Sequence, residues 1–121
     1  IRVDPKLALA YNNLAWMATQ DKTRHKQGVT WAEKAASLAP ETAEYLDTLG
    51  WAYYRAGQAA QARDTLQRAL AKDSRSADPH YHLGMVWLAL GNTAEARKSF
   101  NQALAICKDH AEARAALARL D

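Results

Sequence analysis

The sequence predicts an all-α fold, a solenoid of antiparallel helix pairs, and three observations carry that prediction. First, laying Ala43–Ser76 over Ala77–His110 matches Leu49 with Leu83, Gly50 with Gly84, Gly57 with Gly91, Ala62 with Ala96 and Ala69-Leu70 with Ala103-Leu104, each pair 34 residues apart. A fixed period of this size is the signature of an array in which each unit buries its apolar face against the next. Second, the apolar residues within a unit recur at helical spacing: Leu46, Leu49, Gly50 and Tyr53 fall on one stripe of an α-helix. Third, Gly57 and Gly91 sit near the middle of their units, where glycine suits the left-handed residue that ends a helix before a tight turn. Each unit is therefore two helices folded back on one another.

Helices are expected near 6–20, 28–39, 42–56, 59–72, 77–90, 93–107 and 109–120. The first belongs to an earlier, weaker copy of the unit, since Leu14 precedes Leu49 by 35 residues. The second brings the register back, because Ala35 precedes Ala69 by 34; the extra residue fits the polar run QDKTRHKQG between them. The third and fifth hold Gly50 and Gly84, where a missing Cβ lets a partner helix come close. The fourth and sixth supply the matching small surface with Ala62, Ala69, Ala96 and Ala103. The seventh, in HAEARAALARLD, follows because Leu117 lies 34 after Leu83; its mixture of alanine and charge suits a terminal cap or the start of a fourth unit. At the other end, Pro5 stands nine residues before Leu14 as Pro40 does before Leu49, so Ile1–Pro5 reads as the tail of a preceding unit in a longer array. The expected organisation is one array over 1–121: tail 1–5, repeats at about 8–42, 43–76 and 77–110, and the closing segment 111–121.

The period and the skeleton residues resemble the tetratricopeptide repeat. The third unit reads His80, Leu83, Gly84, Trp87, Ala96, Phe100 and Ala103, with Lys108 where the family usually has proline. The second reads Leu46, Leu49, Gly50, Tyr53, Ala62, Leu66 and Ala69, with Ser74 at that place, and the first Tyr11, Leu14, Ala15, Ala18, Gly28, Ala32, Ala35 and Pro40. The resemblance implies a right-handed superhelix whose first helices line a concave, peptide-binding groove.

Composition narrows the partner class. The 121 residues carry 16 Lys+Arg against 13 Asp+Glu, a formal charge of +3, and the two signs are interspersed. No charged tail points to nucleic acid or to a membrane surface, and no apolar run approaches a membrane span. Cys107 is the single cysteine, which excludes an internal disulfide and a cysteine zinc cluster. The compartment stays open between cytoplasm and periplasm. The wording YLDTLGWAYYRAGQ, followed by HYHLGMVWLALG, is also similar to bacterial envelope members of the family, including lipoproteins associated with exopolysaccharide export.

A second stripe runs beside the core stripe. At about 100° per residue, Trp51 and Tyr54 lie roughly 60° apart, on a different side from Tyr53. Carried over by position from the family, this face forms the groove with Leu9, Asn12, Asn13 and Trp16 from the first unit. The second unit contributes Glu44, Asp47, Thr48, Trp51, Tyr54 and Arg55; the third, Asp78, Tyr81, His82, Met85 and Leu88. The residues expected to bind a ligand are Asn12, Asn13, Trp16, Asp47, Trp51, Tyr54, Tyr81 and Met85, with Trp16, Trp51 and Met85 as an apolar ridge. The asparagine amides both donate and accept, which suits a peptide backbone. The carboxylate clamp of chaperone-binding members is absent, because its places hold Asn12, Trp16, Thr48, Asp78 and His82.

Nothing in the sequence points to catalysis. His80 and His82, two apart on a helix, diverge by roughly 160° and cannot chelate one metal. His25 reads as part of a solvated basic loop, and Cys107 sits at a helix C-terminus, where the dipole opposes a thiolate. No phosphate loop, metal motif or nucleophile elbow occurs. The expectation is a non-enzymatic scaffold without cofactor or metal that grips a protein or peptide partner. The alternative is a structural spacer or self-assembling module that associates through the array ends.

Overall fold

The computed structural model describes residues 4–120, and among them it contains seven α-helices and no strand. They are α1 (Pro5–Thr19), α2 (His25–Leu38), α3 (Ala43–Arg55), α4 (Ala59–Lys72), α5 (Ala77–Ala89), α6 (Thr93–Ile106) and α7 (Ala111–Leu120). The pairs α1/α2, α3/α4 and α5/α6 pack most closely, α2 touches α3, α4 touches α5, and α7 closes on α6. The first helices also touch in sequence, α1 with α3 and α3 with α5. The result is the all-α solenoid that the 34-residue period predicts.

The turns form for the reason expected. Gly57 and Gly91 adopt φ of 83° and 81°, and the amides beyond them fold back onto the helix: Gln58 N–H donates to Tyr53 C=O at 2.8 Å, and Asn92 N–H to Trp87 C=O at 2.9 Å. This is the Schellman arrangement. The α1–α2 connection lacks such a glycine. Asp21 closes it instead, its carboxylate accepting from the Thr23 amide at 2.9 Å and the Thr23 hydroxyl at 2.7 Å, which lowers the Asp21 pKa.

Two sequence boundaries move. His25, expected in a loop, is the first residue of α2, so that helix starts three residues before the expected 28. Pro5, expected in the tail of a preceding helix, is the first residue of α1; Asp4 caps it, its carboxylate accepting from the Lys6 amide at 2.9 Å. A proline there forfeits no intrahelical hydrogen bond. Residues 1–3 of that proposed tail lie outside the described residues.

In the core, Gly50 and Gly84 meet bulky side chains of the partner helices rather than the expected alanines. A Cβ at Gly50 would meet Leu66 Cγ at 2.5 Å, and one at Gly84 would overlap Phe100 Cε1 and lie 2.6 Å from its Cδ1; both large side chains are fully buried. Each glycine thus provides the socket for the bulky residue of its partner helix. One position of the core stripe departs from its counterparts: Leu14 is 42% exposed, whereas Leu49 and Leu83 are 6% and 7% exposed. In the later units the preceding helix pair lies over this leucine, and no described element does so for α1.

Candidate functional groove

The first helices present a cleft of about 540 Å³, lined by Asn12, Asn13, Trp16 and Met17 of α1, Glu44, Asp47 and Thr48 of α3, and Asp78 and His82 of α5. Helical periodicity places them together: residues four apart, such as Asn12 with Trp16 and Glu44 with Thr48, share one face, and the stacked helices bring the three faces side by side. Trp16 is 42% exposed, and Asn13 is exposed beside it.

Beneath this surface the aromatic rings form a connected stack. The His82 imidazole lies 4.3 Å from the Trp51 indole at 26° and 6.0 Å from Trp16 at 47°. Trp51 also stacks on Tyr54 at 4.8 Å and touches Tyr81 at 6.1 Å. His82 is oriented by Asp47, with Nδ1 at 2.8 Å from Oδ1. A carboxylate only accepts, so the imidazole N–H donates.

The expected ridge of Trp16, Trp51 and Met85 is therefore broken. Trp51 is only 8% exposed, enclosed by its aromatic neighbours. Met85 and Tyr81 are half-buried against the core formed by α6 and α7, with Leu88 beside them. Burial raises the Tyr81 pKa, with Glu112 adding to the shift. Tyr54 is half-buried on Trp51 and also packs on the Leu66–Leu83 core. Arg55 is turned to structural use, its Nε donating to Thr19 C=O at 3.1 Å and tying α3 to the end of α1. Of the expected binding residues, Asn12, Asn13, Trp16 and Asp47 meet in the cleft; Trp51, Tyr54, Tyr81 and Met85 support it from below or pack towards α7.

Asn12 is the unusual member of the cleft. It is only 5% exposed, and its Oδ1 has no hydrogen-bond partner. A buried acceptor left unpaired costs about 1–3 kcal/mol. Asp78, on the expected groove face though not among the residues expected to bind a ligand, lines the cleft and is held by His110. The His110 Nε2–H donates to Asp78 Oδ1 at 2.7 Å, while Nδ1 accepts the Ala113 amide at 3.1 Å. His110 thereby caps α7. The 32-residue separation of this pair is close to the repeat period, and that is the only sequence signal that links them. His80 is buried and holds the Ser74 carbonyl through Nε2 at 3.1 Å, a loop-fixing contact. Among the described residues, no group of three or more His, Cys, Asp or Glu side chains could hold a metal, and no helix is long and apolar enough to cross a membrane.

Comparison with known proteins agrees with this architecture. The chain is 33% identical over 69 residues to the TPR repeat-containing protein PA4667 of Pseudomonas aeruginosa, a match covering 57% of this chain and only 12% of that protein. The first TPR domain of human RPAP3 superposes with a TM-score of 0.89 at 19% identity, covering 97% of this chain and 91% of that one. The first TPR of Spaghetti (RPAP3) bound to an HSP90 peptide, SRMEEVD, superposes with a TM-score of 0.87 at 20% identity, covering 99% and 94%. At such identities the superpositions speak for the fold. Residues 48–111 match the family described as tetratricopeptide repeat, more than half of the chain, and the chain belongs to that family.

Proposed function

We propose that this array is a protein-interaction scaffold whose α1–α3–α5 cleft holds an extended segment of a partner protein. The observation that carries the reading is the open cleft itself, where exposed Trp16 adjoins the unpartnered Asn12 amide. A large aromatic anchor beside an unpaired hydrogen-bonding group is what a bound main chain needs. The peptide-bound RPAP3 neighbour supports a protein or peptide as the class of partner. The acidic segment seen there is not expected here, because the clamp places Asn12, Trp16, Thr48, Asp78 and His82 include no lysine or arginine.

The test is to select binders from a display library of random peptides and map the best by amide chemical-shift changes. Changes centred on Asn12, Trp16, Glu44 and Thr48 are expected. Changes confined to α2, α4 and α6 would refute groove binding.

The spacer and self-assembly reading draws on a different observation. Leu7, Leu14 and Met17 are 45%, 42% and 68% exposed, on the side of α1 where the later units receive a preceding helix pair. That face suits another helix pair, whether from a further repeat or from a second copy. A role in a bacterial envelope or exopolysaccharide export system is the cellular setting that this alternative would take.

A further inference from the structure

We propose that the cleft selects a partner segment carrying lysine or arginine, the opposite polarity from a carboxylate clamp; the inference rests on the groove-binding reading above. The chain as a whole is basic, with 16 Lys+Arg against 13 Asp+Glu, yet the cleft is lined by Glu44, Asp47 and Asp78 and by no lysine or arginine among the described residues. The same three carboxylates also border the adjoining cleft towards Asp73 and Ser76. Asp47 and Asp78 each accept one imidazole N–H, from His82 and His110, which orients the carboxylates and leaves each a second oxygen. Independently of the charges, buried Asn12 lines the cleft with an acceptor that no protein group satisfies.

The cleft therefore offers acceptors and lacks cationic donors. An ammonium or guanidinium supplies only donors, and hydrogen bonds from a charged donor to a carboxylate are the strong kind. The methylene stem of such a side chain would lie on Trp16, whose ring face attracts a cation. One partner side chain thus matches the apolar wall and the carboxylates together.

The test uses the full chain against a display library of random peptides, selected in parallel on the wild type and on Trp16→Ala. Peptides that require Trp16 should be enriched in lysine and arginine over aspartate and glutamate. Their affinity should fall about tenfold in the double variant Glu44→Gln/Asp78→Asn, consistent with the loss of charged hydrogen bonds, and should weaken as salt is added. Both substituted side chains are exposed, so the fold should survive, and an unchanged melting curve verifies that. Trp16-dependent peptides without a basic bias, or ones indifferent to the double variant, would overturn the charge preference and leave groove binding standing. A selection that yields no Trp16-dependent peptide would overturn both.

Discussion

The indole of Trp51 lies face to face with the imidazole of His82, centroids 4.3 Å apart, and Asp47 holds the Nδ1 edge of that imidazole at 2.8 Å. Trp51 projects from α3 and His82 from α5, so the stack is a rivet between consecutive repeats rather than a free binding surface. Trp51→Ala should destabilise the fold by about 3–5 kcal/mol, as large aromatic truncations in packed sites do. Denaturant unfolding reads the change; a midpoint equal to the wild type would show the stack to be dispensable.

Trp16→Ala should behave in the opposite way. The side chain is 42% exposed, so stability should change by less than about 1 kcal/mol. Affinity for groove-bound peptides should drop by about 2 kcal/mol. Isothermal titration beside thermal melting separates the two effects.

The glycine sockets give a third test. Gly84→Ala brings a Cβ into overlap with Phe100 Cε1 and Cδ1, an overpacking that costs about 1–3 kcal/mol, of which the better helix propensity of alanine recovers up to about 1. Gly57→Ala meets no atom within 4 Å but keeps φ at 83°, so its cost, about 1–2 kcal/mol, comes from the left-handed backbone alone. Adding Phe100→Leu to Gly84→Ala should recover part of its loss, whereas adding it to Gly57→Ala should recover none.

Tyr53 links pH to stability. Its hydroxyl donates to Glu33 at 2.8 Å; burial first, and then this bond and the Glu33 charge, raise its pKa from 10.0 to about 12. A pKa raised on folding gives stability that is fully present below the unfolded value and is lost as pH rises towards the folded one. Stability should therefore decline between about pH 10 and 12. Tyr53→Phe should flatten that part of the decline and remove one late-titrating phenol from the ultraviolet absorbance titration.

The exposed face of α1 predicts association. Leu14→Lys should leave the melting temperature nearly unchanged, since the residue is 42% exposed, and should lower the sedimentation-average mass at high concentration. A wild type that stays monomeric at every concentration would remove self-assembly through this face.

The sequence by itself determined the repeat. The period, the turn glycines and the small residues Gly50 and Gly84 are local or periodic signals of the second and third units, whereas the bulky partners of those two glycines, Leu66 and Phe100, emerge only once the helices pack. Angular position on a helix, set by residue number, sorted the side chains of α1, α3 and α5 into faces, and the family resemblance implied which of those faces lines the groove. Tertiary structure decided which of those side chains remain open. Trp16 and Trp51 hold equivalent places, yet one is 42% and the other 8% exposed, because Trp51 is covered by His82 and Tyr54 while Trp16 has only the edge of that stack beside it. The groove places of Asn12, Glu44, Asp47 and Asp78 follow from their positions in the repeat, but the imidazole partners of the two aspartates and the unpaired Asn12 Oδ1 come only from the tertiary structure. Angular position assigns a side chain to a face; its burial and partners depend on rotamers and on neighbours one repeat away.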